Sequence, residues 1–287
     1  MAVGLLALLC GGCGGGAKEA STSREIAVTV EPLRYFAEKI AADDYKFFAV
    51  VPAGQSPETY DPSPRETARI GKGRAFLHFN SLPVEHSIAA SIQANNPNIT
   101  VGDVSVGMSL HVIKEDEHHT DDHAHHDPHI WTSFAGARVI ASNICKTLSV
   151  MNPDEEDVYL SRCKRFTDEL QTLENQLHRT LDTLSCRSFV IYHPALTYFA
   201  DEFGLTQISI EADGKEPSPA TMKRLIDKAL SDRVRVVFVQ IEFDRKHAEQ
   251  VAAAIGARIV VINTLDYQWD KQMIRIAKAL AGDEKLD

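Results

Sequence analysis

From Glu25 onward, short apolar runs alternate with stretches of helical period. Residues 26–30, 47–51, 75–79 and 99–101 read as strands, being runs of β-branched, aromatic and aliphatic side chains. Residues 33–42 carry apolar positions three and four apart and read as a helix, and a second helix is expected near 65–70 after a Pro-rich loop at 57–64. The alternation stops at residues 111–127, a stretch of His, Asp, Glu and Thr too polar to pack, which reads as a surface loop. Regular structure resumes with a helix at 134–148.

The longest periodic segment follows. After Asn152-Pro153-Asp154, apolar residues fall at Val158, Phe166, Leu170, Leu173, Leu177, Leu181 and Leu184. Asn152 suits an N-cap and Pro153 the first helical position. About 30 residues at 1.5 Å rise give roughly 45 Å, enough to cross two domains. A second series then repeats the first. Strands are expected at 188–192, 206–210, 234–239 and 258–262, and helices at 196–203, 219–230, 247–255 and 269–281. Strands separated by helices imply parallel sheets built from βαβ units. The chain therefore reads as an α/β fold with a lobe at 24–150, a linking helix at 151–186 and a second lobe at 187–287.

Composition narrows the function little. The 287 residues are 44% hydrophobic and 24% charged, and the formal net charge of -10 argues against nucleic acid or anionic lipid as the main partner. The N-terminus says more. Ala2 to Leu9 form an apolar run far shorter than the roughly 20 residues of a membrane span, followed by Cys10-Gly-Gly-Cys13 and a Gly-rich tether. Residues 1–23 thus resemble a bacterial lipoprotein export signal, with Cys13 the better acylation site because Gly11-Gly12 precede it. An exported protein, periplasmic or at the cell surface and held by a lipid anchor, is expected. Of the remaining cysteines, Cys145, Cys163 and Cys186, an odd number stays unpaired; Cys163 and Cys186 could join in an oxidising compartment.

The candidate chemistry is histidine chemistry. Six of the twelve histidines lie between residues 118 and 129: His118, His119, His123, His125, His126 and His129. Neutral imidazole binds Zn, Cu, Ni and Fe. A floppy loop suits weak, auxiliary capture better than a fixed site. His129 differs, because Pro128 and Trp131 flank it where ordered chain resumes. His193 has the same character, at the carboxyl end of an expected strand and followed by Pro194. Such strand ends are where α/β sheets bind ligands, and one His in each lobe points to a site between them.

With these residues in view, the chain resembles the metal-binding subunits of zinc and manganese ABC importers, the zinc-uptake solute-binding lipoprotein family. Asp127-Pro128-His129-Ile130-Trp131, Tyr192-His193-Pro194-Ala195, Glu216-Pro217-Ser218 and the loop from Gly54 to Pro62 match that family's motifs in order. The resemblance implies two Rossmann-like parallel-sheet lobes joined by one long rigid helix, with the metal in the interlobe cleft. It also implies an ABC permease as partner and a monomeric receptor.

Two positions depart from the family pattern. Glu58 stands where the family's first ligand loop carries His, and Asn263-Thr264-Leu265 replaces a segment that supplies an aspartate. The implied ligands are Glu58, His129, His193 and one oxygen from Asn263 or Asp266, with Glu242 a further carboxylate at a strand end. Two imidazoles and two oxygens suit Zn2+, Mn2+ or Fe2+; the His-rich loop and the affinity order favour zinc. Alternative readings are a metal-dependent hydrolase, which lacks a His-Glu-x-x-His signature here, and a metal-binding adhesin on the same scaffold.

Overall fold

A computed structural model of the chain describes residues 23–96, 98–112, 126–211 and 217–283. The first lobe is a parallel sheet of β1 (Glu25–Val28), β2 (Lys46–Ala49), β3 (Ala75–His78) and β4 (Thr100–Asp103), in the order β2-β1-β3-β4. Helices α1 (Glu31–Ala41), α2 (Pro64–Gly71) and α3 (Pro83–Asn95) connect these strands. Then come α4 (Phe134–Met151) and the long α5 (Glu156–Leu181). The second lobe repeats the design with β5 (Ser188–Ile191), β6 (Thr206–Ser209), β7 (Val236–Gln240) and β8 (Arg258–Ile262), in the order β6-β5-β7-β8. Its helices are α6 (Thr197–Glu202), α7 (Pro219–Ser231), α8 (Lys246–Ile255) and α9 (Trp269–Leu280).

Central strands are apolar along their length because helices cover both faces: Ile26, Ala27 and Val28 of β1 and Phe76 and Leu77 of β3 are fully buried, as are Val237, Phe238 and Val239 of β7. In each sheet the winding reverses beside the first strand. Such reversals open a crevice at the carboxyl ends, where loops from adjacent strands diverge. Among the described residues, no helix is long and apolar enough to cross a membrane.

Two features depart from the sequence expectation. Helix α3 was not expected, since its buried Val84, Ile88 and Ile92 are interleaved with small Ala and Ser, which blurs the periodicity. Its start is held by the buried Glu85 carboxylate, which accepts from the N–H groups of Phe79, Ser81 and Leu82 and from the Thr29 hydroxyl. The second departure concerns the long helix. Residues 153–155 form a 3-10 turn, so the α-helix begins at Glu156 and its phase differs in the first turn: Tyr159 is buried and Val158 is exposed. From Phe166 onward the expected face is the buried one, through Leu170, Leu177 and Leu181. The 26 residues of α5 span about 39 Å.

A seam of direct bonds joins the lobes. The Trp131 indole N–H donates to the Thr264 carbonyl at 2.9 Å, and the Trp269 indole N–H donates to the Trp131 carbonyl at 2.6 Å. The Glu202 carboxylate of α6 accepts from the Phe134 and Ala135 N–H groups at 2.7 and 2.8 Å, so one lobe caps the first turn of a helix of the other. Trp269 packs edge-on against Phe36 and Phe134. The Tyr267 hydroxyl reaches Glu38 of α1.

Candidate metal centre

His129 follows the Asp127-Pro128 step and opens a 3-10 turn at Ile130–Thr132. A single carboxylate fixes it twice: the Asp127 Oδ1 accepts the His129 backbone N–H at 2.9 Å and lies 2.8 Å from Nδ1. The peptide is held in turn, since the Thr132 N–H and hydroxyl both donate to the His129 carbonyl. Asp127 is buried, which alone would raise its pKa, but the hydrogen bond to His129 outweighs that and holds it below the usual carboxylate range. Behind the turn, the first turn of α4 packs so closely that a Cβ on Gly136 would lie 2.0 Å from the Ile130 carbonyl oxygen. That position requires glycine.

His193 extends β5 past Tyr192. The parallel register pairs Ser188 with Thr206 and Val190 with Val237, and carrying it three to five residues on brings Glu211 and Gln240 to either side of His193. Glu211 Oε2 lies 2.8 Å from Nδ1, while the Gln240 amide donates to the His193 carbonyl at 2.7 Å and accepts its N–H at 3.3 Å. The ring stacks on Phe243 at 5.1 Å and 22°. Glu211 and Gln240 are both buried, and neither was singled out from the sequence; the only available signal was a polar residue at the end of an expected strand. Both imidazoles thus commit Nδ1 to a carboxylate, which leaves Nε2 to face the cleft.

Glu58 enters from the loop after β2, its N–H turned onto the Ser56 hydroxyl. The three groups converge. Nε2 of His193 lies 3.3 Å from Nε2 of His129 and 3.3 Å from Glu58 Oε1, and Nε2 of His129 lies 3.8 Å from the same oxygen. A tetrahedral zinc with ligands at about 2.0–2.1 Å separates its ligand atoms by about 3.3–3.4 Å. The triangle therefore matches one face of such a site. Burial works to lower the His193 pKa, but hydrogen bonds to Glu211 and Glu58 overcome it and push the ring up to about 9. Burial likewise works to raise Glu58, and its bond to His193 brings it below the ordinary value.

The space between them, walled also by Pro57, Ala195, Thr264 and Leu265, is about 10 Å³, room for one ion or water. Glu242 reaches the same cavity from beyond β7. Its Oε2 is buried with no hydrogen-bond partner among the described residues, and burial raises its pKa.

The two fourth-ligand candidates of the sequence reading are not brought to this cavity. Asn263 Oδ1 accepts the Leu265 N–H at 3.0 Å, and Asp266 Oδ1 accepts the Gln268 N–H at 2.7 Å. Both polar side chains build the turn that leads from β8 into α9, so Thr264 and Leu265 face the cleft in their place. His118, His119, His123 and His125 lie outside the described residues, as do Cys13 and Glu216. His126 forms an antiparallel bridge with Val112, and Asp127 N–H donates to the His111 carbonyl, so the ends of the polar segment are joined beside His129.

Comparison with known proteins identifies the family of the chain and its fold. The high-affinity zinc uptake protein ZnuA of Bacillus subtilis is 28% identical over 274 residues, covering 90% of this chain and 85% of its own. The zinc-binding lipoprotein AdcA of Streptococcus pneumoniae is 25% identical over 258 residues, of which the chain spans only 51% of the relative's length. A crystal structure of ZnuA superposes with a TM-score of 0.84 at 31% identity, covering 92% of this chain and 100% of the other. A zinc-bound ZnuA lacking residues 138–173 of its own chain superposes at 0.82 with the same identity, covering 90% and 97%. The family described as ZnuA, zinc-uptake complex component A, periplasmic, matches residues 26–279, and the chain belongs to it.

Proposed function

We propose that this chain captures Zn2+ outside the cytoplasm and delivers it to an ABC permease, acting by coordination and handover and not as an enzyme. The observation that carries the reading is the triangle of Glu58, His129 and His193, whose edges of 3.3 to 3.8 Å suit one zinc ion. Two neutral imidazoles and a carboxylate without thiolate also accept Mn2+ or Fe2+, but the affinity order puts zinc above both. The small cavity supports an ion as the cargo.

Glu242 is our candidate for the fourth ligand. A buried oxygen without a partner is costly, and an arriving cation relieves that cost. Asn263 Oδ1 and Asp266 Oδ1 already accept backbone N–H groups of their own loop, and Asp266 Oδ2 faces the side-chain amides of Asn263 and Gln272. The His-rich loop is assigned an auxiliary, weaker role, and Cys13 the lipid anchor that keeps a monomeric receptor near its permease.

Elemental analysis with competitive chelator titration tests this. One zinc per chain is expected, with His129→Ala and His193→Ala each weakening binding by about 100-fold or more. Glu242→Gln should weaken it by about tenfold, against less than twofold for Asn263→Ala. Wild-type affinity in both histidine variants would overturn the site, and loss of all tight binding on deleting residues 113–125 would move it to the loop.

A further inference from the structure

The sequence left Cys163 and Cys186 as a possible pair, and the fold separates them. Cys163 sits two turns into α5, and the 18 residues of helix from there to Leu181 cover about 27 Å. Cys186 lies beyond that end, its thiol donating to the carbonyls of Ser188 and Asp232. The neighbour of Cys163 is Cys145.

Helices α4 and α5 run antiparallel about the turn at Pro153–Glu155. Cys145 precedes Asp154 by nine residues and Cys163 follows it by nine, so the two stand at one height on facing helices. Their thiols are close enough to influence one another's ionisation. Both line one open groove with Ser142, Ser149, Leu160 and Thr167, Cys163 half-buried there and Cys145 buried beneath it.

We propose that Cys145 and Cys163 are a disulfide-forming pair that staples α4 to the linking helix. Two cysteine thiols and one oxidised external disulfide, such as oxidised glutathione, give the protein disulfide and two reduced thiols. One protein thiolate attacks the external disulfide and expels one external thiolate; the other then attacks the protein sulfur of the mixed disulfide and expels the second. Burial raises both thiols, Cys163 to about 11, so pairing in the folded protein is slow near neutral pH and quickens as pH rises. The bond would close a loop of 18 residues between α4 and α5, which favours the folded state by restricting the unfolded one. The proposal uses the compartment of the function proposed above, where disulfides persist, but its test does not depend on zinc or on export.

The full chain, reduced and unfolded, is refolded in a glutathione redox buffer, alkylated under denaturing conditions, digested without reductant and mapped by mass spectrometry. The expected result is one peptide pair joined through Cys145 and Cys163, with Cys186 alkylated. The melting temperature of this product should fall by roughly 5 °C on reduction. Cys186→Ser should leave both results unchanged, and Cys163→Ser should abolish them. Alkylation or glutathionylation of both Cys145 and Cys163, or a bond from either to Cys186, would overturn the proposal.

Discussion

The two imidazoles of the cleft present the same atom to the same space, yet the two lobes hold them by different means. On the His129 side one carboxylate serves two ends: Asp127, two positions back, fixes both the backbone N–H and the ring. On the His193 side the work is divided. Glu211 on the neighbouring strand's extension orients the ring, Gln240 on the other side clamps the peptide, and Phe243 covers the face. A local turn thus concentrates the positioning in one carboxylate. A sheet distributes it over adjacent strands.

That contrast can be broken most forcefully at Asp127. Asp127→Ala frees ring and backbone together, and zinc affinity should fall by about 100-fold, at the upper end for groups that orient a metal-bound histidine. Glu211→Ala should cost about tenfold to thirtyfold and Gln240→Leu only a few-fold, because each leaves the other's bond in place. The double variant should approach Asp127→Ala. If Glu211→Ala alone matches Asp127→Ala in titration, the division of labour on the His193 side is wrong.

Gly136 sharpens the same comparison from behind. Gly136→Ala forces the Ile130 carbonyl away from a Cβ that would lie 2.0 Å from it, and the His129 turn moves with it. Affinity should drop by about tenfold, at unchanged stoichiometry. A glycine-to-alanine change in the interior of an exposed helix would be neutral or stabilising, so wild-type affinity and a higher melting temperature together would contradict the close approach.

The mildest probe is pH. His193 is raised to about 9 in the metal-free site, so below that pH a proton competes with the ion, and affinity should rise by about tenfold per pH unit up to about 9. Since Glu211 helps hold that proton, Glu211→Gln should flatten the profile. Asp127→Asn should not shift this limb, because Asp127 acts on the other ring. Isothermal titration in buffers of different ionisation enthalpy reads the protons released directly.

How far the chain could be read without coordinates follows the same division. Asp127, Pro128 and His129 are neighbours, so their joint action stands in the sequence as a motif. Glu211 is 18 residues from His193, and only the parallel pairing of β5 with β6 makes them adjacent. Strand positions could be read from apolar runs, but register could not. Helix α3 escaped because its apolar positions are diluted by Ala and Ser, whereas the leucines of α5 are unmistakable beyond its first turn. Asn263 and Asp266 looked available as ligands for lack of any signal that their side chains would be consumed by their own turn.

The seam of Trp131, Trp269 and Glu202 bears on time as well as shape. With Nε2 of His129 and of His193 already 3.3 Å apart and the lobes cross-bonded behind them, the ligand atoms stand near their bound spacing before any ion arrives. Departure is another matter. An ion held as proposed, by ligands from both lobes, would leave only when several bonds loosen together, which would make the dwell time of the loaded chain long on its own. Unloading at a useful rate then requires an outside agent that strains the seam, and weakening a single bond there, such as Glu202 to the first turn of α4, should shorten the dwell time while leaving the capture rate nearly unchanged.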